Sequence, residues 1–180
     1  MKLRFIIDPP DRRVEKGFSE LLTKAVKIVG QMQNTPDSAI TALLERLEPN
    51  QENDEVREGL KREISVALIR NGIPLERTNE VTTIIVDMLM AGIKLEYAKH
   101  GDSIVLCLRC LSLESLLRLR EMMLSGRLLR ILSDAIKRFS QCETRVQLIV
   151  RAEDFNKCAS YFYGAAGKPE FFRLTLKLPY

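Results

Sequence analysis

Cys107 and Cys110 stand three residues apart in LCLRC, immediately before a leucine-rich run studded with arginines. Paired thiolates at this spacing hold zinc or exchange a disulfide. A strand reading of Ser103 to Cys110 puts the two on opposite faces, because successive side chains alternate. The chain also lacks a second ligand pair at zinc-knuckle spacing. A structural role is therefore expected: Cys110 as a small core residue, Cys107 as a partly exposed thiol, and Cys142 and Cys158 as isolated packing residues. His100, the only histidine, sits beside Gly101-Asp102. Nucleophilic triads assemble from distant residues, so one histidine is enough for such chemistry, but the composition of a solvated hairpin turn accounts for it. Gly164-Ala165-Ala166-Gly167-Lys168-Pro169 is too short for a phosphate-binding loop, and proline stands where the magnesium-holding hydroxyl belongs. Glu153 and Asp154 open a helix, where acids favour the dipole. With no acid/base constellation, metal set or cofactor motif left standing, the expectation is a protein that is not an enzyme and binds no cofactor.

The elements around these residues come from a chain of 180 residues that is 46% hydrophobic, long enough to bury a core. Its 28 Lys+Arg against 24 Asp+Glu leave a net +4, too mild for the concentrated stripe of a nucleic-acid binder. Cysteines outside a small secreted framework suit reduced thiols in the cytoplasm. The apolar run in MKLRFIIDPP is too short for a signal peptide, and no stretch approaches a membrane span.

Leu3, Phe5 and Ile7 alternate in a short strand that stops at Asp8-Pro9-Pro10. Val14, Phe18, Leu21, Leu22, Ala25, Ile28, Val29 and Met32 form a helical stripe. Thr35-Pro36-Asp37 reads as the start of a second helix, with Thr35 as N-cap. The polar stretch Glu48 to Glu55 is the best linker, dividing a strand-plus-helix segment 1–52 from 53–180; the first segment is either a unit of its own or part of the same core. Helices are expected at about Asp54 to Arg70, ended by Asn71-Gly72, and at Asn79 to Met90. From Ile93 the period becomes 2, giving a hairpin in which Ile93, Leu95 and Tyr97 share a face, with a turn at Lys99 to Asp102. Ser112 caps a further helix, Ser125-Gly126 breaks it, Val146, Leu148 and Val150 mark a strand, Ala152 to Tyr161 a helix, and Phe172 to Leu178 a last strand. The order implies an α+β fold, an α–β sandwich with an antiparallel sheet of about four strands, helices packed on one face, and a helical N-terminal segment before it.

The run GDSIVLCLRCLSLESLLRLREMMLSGRLLRILSDAIKRF, followed by TRVQLIVRAEDFNKC, resembles the TRADD-N-like domain family, named for the N-terminal domain of the tumour-necrosis-factor-receptor-associated death-domain adaptor. The shared features are a strand ending in Leu108-Arg109, the SLESLLRL helix, the SGRL break, the second helix and the strand VQLIVRAE. The similarity spans about Asp54 to Tyr161 in element order, and Asp102 to Cys158 in motif. It implies an adaptor in innate-immune and cell-death signalling that binds protein partners, the C-terminal domains of TNF-receptor-associated factors, through the open face of its sheet.

Strand parity and the Leu108-Arg109 alignment agree in placing Val105 on that face, with Cys107 and Arg109 beside it and Ile149 and Arg151 on the later strand. These five are the expected partner-binding residues. A homo-oligomerising scaffold and a weakly nucleic-acid-binding domain are the rival readings. Scattered arginines from Arg118 to Arg138, interleaved with Glu121 and Asp134, read as a solvated helical surface.

Overall fold

The computed structural model describes residues 1–35, 38–47, 53–142 and 144–164. The chain runs β1 (Lys2–Asp8), α1 (Arg12–Gln33), α2 (Ala39–Glu45), α3 (Asp54–Arg70), α4 (Leu75–Met90), β2 (Ile93–His100), β3 (Ile104–Cys110), α5 (Leu113–Leu124), α6 (Arg127–Ser140), β4 (Arg145–Val150) and α7 (Ala152–Tyr163). The fold is α+β: the four strands form one antiparallel sheet in the order β2-β3-β1-β4, and the helices pack against it. The expected strand from Phe172 to Leu178 lies outside the described residues.

β1 is the joint of the sheet. Its alternation places Leu3, Phe5 and Ile7 toward the helices with no exposed surface, and Lys2, Arg4 and Asp8 outward. It pairs with β3 on one side and β4 on the other, Arg4 opposing Val105 and Ile149 in the two registers. The described elements before residue 48, β1, α1 and α2, thus join those from α3 to β4 in one sheet and one hydrophobic core. Burial of three such side chains contributes about 1.5–3 kcal/mol each.

α1 lies across the inner face of the sheet. Asp11 starts it by accepting hydrogen bonds from the backbone N–H groups of Arg13 and Val14 at 2.9 and 3.1 Å. Phe18 stacks edge-on against Phe5 and Phe139, at 6.1 and 5.5 Å between ring centroids, joining β1, α1 and α6. Thr23 holds the outer edge of β2: its hydroxyl donates to the Ala98 carbonyl and accepts from the Ala98 N–H. That edge is therefore partly closed to further strand pairing.

Several local expectations change. Ser38, not Thr35, caps α2, accepting from the Thr41 N–H; Pro36 and Asp37 lie outside the described residues. α4 begins four residues before the expected Asn79, because Pro74, lacking an N–H and locked in φ, serves as its N-cap. β2 runs on through His100, leaving 101–103 as the connection. A β-bulge at Glu96 shifts the register between Leu95 and Tyr97. Ala98 is thereby turned inward and Tyr97, expected beside Ile93 and Leu95, is turned to the open face.

Candidate functional site

With the helices on one side, the other side of the sheet is left open by the described residues. β2 contributes Lys94, Glu96, Tyr97 and Lys99 to it, and β3 contributes Val105, Cys107 and Arg109. β1 adds Lys2, Arg4, Ile6 and Asp8, and β4 adds Arg145, Gln147 and Ile149. Registers order these into rows. Lys99, Val105, Arg4 and Ile149 form one row across all four strands, and Tyr97, Cys107 and Lys2 form the next. At the usual strand spacing the longer row is about 15 Å wide.

The five expected binding residues fare differently. Val105 is half-buried and outward, Arg109 is exposed, and Ile149 is an exposed large apolar residue at 39%. Val105 and Ile149 are not adjacent, since β1 runs between them and Arg4 fills the gap. Arg109 is ion-paired with Glu96 on the neighbouring strand. Cys107 keeps the expected face but is only 7% exposed rather than partly exposed, because Tyr97 and Lys2 flank it in register. Interaction with the facing Cys107 thiol holds the Tyr97 pKa above its ordinary 10.0. Arg151 is exposed but lies beyond β4, as the N-cap of α7, so it borders the face rather than standing on it.

Cys110, expected in the core, is half-buried beside Leu116 and Phe155, where burial, and then the neighbouring Cys158, push its thiol up to about 11. His100 is also more engaged than a turn residue: its Nε2 lies 3.3 Å from the buried Oε2 of Glu15 in the first turn of α1.

The sequence reading missed the cationic residues of the face. Lys2, Arg4, Lys94, Lys99, Arg109 and Arg145 oppose only Glu96 and Asp8, an excess of four positive charges, equal to the net +4 of the whole chain. Lys2, Arg4, Lys94 and Lys99 form no ion pair with another described residue. Their alternation with apolar residues is visible in KLRFI and IKLEYAK. Only the placement of β1 between β3 and β4 gathers them on one surface.

Two other features compete for attention. A cleft of about 1030 Å³ opens between α3, α4 and α5. Its three arginines are already engaged: Arg57 and Arg127 both on the buried Asp87, and Arg118 on Glu114. That leaves a well-neutralised groove whose charges tie helices together. Val66, Ile69 and Leu75 form a second exposed apolar set on α3 and the start of α4. Among the described residues no three His, Cys, Asp or Glu side chains gather as a metal site. No helix among them is long and apolar enough to cross a membrane.

No family model, curated protein or solved structure matches the chain.

Proposed function

We propose that this chain is a non-catalytic protein-interaction domain, an adaptor in innate-immune or cell-death signalling in the cytoplasm, which docks a signalling partner on the open face of its sheet. The observation that carries the reading is the one-sided packing. A four-stranded sheet has its apolar residues Leu3, Phe5, Leu106 and Leu148 covered by helices, while Val105 and Ile149 stand on the side that no described helix covers. Apolar anchors inside a polar surround are the anatomy of a binding patch. The resemblance of the segment from Asp102 to Cys158 to TRADD-N-like domains supports the signalling role and names the first partners to try.

The test is calorimetric titration of the folded chain against a panel of C-terminal domains of TNF-receptor-associated factors at physiological salt, with Val105→Asp as the control. Binding that is lost in a folded Val105→Asp variant supports the reading. A folded wild type silent across the panel removes this partner class.

Self-association is a second reading, favoured by β4, whose outer edge pairs with no other described strand. Light scattering across a concentration series would show a mass that grows with concentration.

A further inference from the structure

We infer that the partner of the open sheet face is a protein segment that is both acidic and aliphatic, its carboxylates interleaved with apolar side chains. The inference rests on the docking reading above and specifies the chemistry that reading leaves open.

Charge on the face is patterned rather than diffuse. In the row Lys99, Val105, Arg4, Ile149 cations alternate with aliphatic residues from strand to strand, and the row beside it begins with Tyr97 and ends with Lys2. Arg4 stands between Val105 and Ile149, so a carboxylate set on its guanidinium has an apolar neighbour on each side. A complementary surface must therefore alternate in the opposite sense. Lys2, Arg4, Lys94 and Lys99 make no ion pair with another described residue, which leaves their charge available to an incoming group. Arg109, held by Glu96, borders the patch as an oriented guanidinium. Potentials of this kind select partners and speed encounter more than they add affinity, and the apolar residues supply the desolvated anchor.

The same pattern speaks against a nucleic acid, the other large polyanion. Single-stranded nucleic acids seek aromatic platforms on central strands for base stacking. Here the central strands β3 and β1 offer Val105, Cys107 and Ile6. Tyr97, the one aromatic among the described residues of the face, is on an edge strand, and the Lys99 ammonium already sits 5.1 Å from its ring centroid. Aliphatic residues set between cations answer aliphatic residues set between carboxylates, which a phosphate backbone does not provide.

The experiment is selection from a random dodecapeptide display library at physiological salt on the full chain, in parallel with an Arg4→Glu/Lys99→Glu variant and an Ile149→Ser variant. Each is first shown to melt cooperatively, as substitutions of outward residues should allow. Wild type should enrich peptides with alternating acidic and aliphatic residues. Synthesised, these should bind the charge-reversed variant at least tenfold more weakly and the Ile149→Ser variant measurably more weakly. Enriched peptides that are neutral or basic, or that bind the charge-reversed variant equally well, would overturn the acidic assignment. If such peptides still lose affinity on Ile149→Ser, the docking reading stands without it. No enrichment on wild type would sink both. Displacement of the acidic peptides by an equimolar single-stranded RNA dodecamer would also overturn the inference, because a phosphate backbone would then be the better fit.

Discussion

Tyr97 and Cys107 face each other in register across β2 and β3 on the side of the sheet away from the helices. The pair exists because the bulge at Glu96 inverts the last part of β2, and it explains how a cysteine on an uncovered face is buried.

The first prediction concerns that pair. The facing Cys107 thiol favours the neutral phenol, so Tyr97 should ionise above its ordinary 10.0. An acid whose folded-state pKa is raised contributes stability that is present below the unfolded value and lost as pH rises through the folded one. The stability gap between wild type and Cys107→Ala should therefore hold below pH 10 and narrow above it, the packing lost with the thiol remaining at every pH. Titration of the tyrosine ring signals by NMR checks this, with Cys107→Ala expected to bring the Tyr97 midpoint down.

A second prediction ranks the thiols. Cys142 is exposed, Cys107 is buried, and Cys110 has its pKa pushed up to about 11. At pH 8 only about one Cys110 in a thousand is thiolate, the form that reacts. Timed alkylation followed by peptide mass spectrometry should label Cys142 first and Cys110 far later. Equal rates at the two would contradict the burial of Cys110.

Asp87 yields a stability prediction. Its carboxylate, 6% exposed, accepts from Arg57 of α3 and, at 2.8 Å, from Arg127 of α6, so one α4 side chain ties three helices. Asp87→Ala leaves two guanidiniums without their counter-ion. Since both reach solvent, the cost falls below that of a fully buried pair, about 2–3 kcal/mol in urea unfolding. A loss within about 0.5 kcal/mol would mean the network is incidental.

Two glycines separate backbone strain from crowding. Gly126 and Gly92 both have φ +70°, but a Cβ on Gly126 meets open space whereas one on Gly92 would lie 2.4 Å from Ser115 Oγ. Gly126→Ala should cost about 1 kcal/mol for its left-handed backbone. Gly92→Ala should cost about 2–3 kcal/mol, because α5 must also give way. Part of that excess should return in a Gly92→Ala/Ser115→Ala double variant, measured in the same unfolding assay.

Legibility in the sequence followed the range of the interactions. α3 runs over Asp54–Arg70 as its periodicity and the Asn71-Gly72 stop indicate, and the Ser112 cap and the break at Gly126 stand where the residue types put them. These are local signals, each fixed by a few neighbouring side chains. The seat of β1 between β3 and β4 depends on pairing across about 100 residues on one side and about 140 on the other, which alternation in KLRFIID cannot encode. The bulge at Glu96 likewise breaks the period of 2 that would put Tyr97 on the face of Ile93 and Leu95. Parity placed Val105, Cys107, Arg109 and Ile149 on the correct face. Without β1 in the middle, however, the face lacked Lys2 and Arg4, and its basic character stayed hidden in a nearly balanced composition.

The central claim is that the open sheet face is where a partner docks. Amide shift mapping of the full chain, titrated with the C-terminal domain of a TNF-receptor-associated factor, tests it most directly. The account predicts shifts gathered on Lys2, Arg4, Lys99, Val105 and Ile149, with the helical side unmoved. Shifts centred on Val66, Ile69 and Leu75, or none at saturating partner, would contradict it.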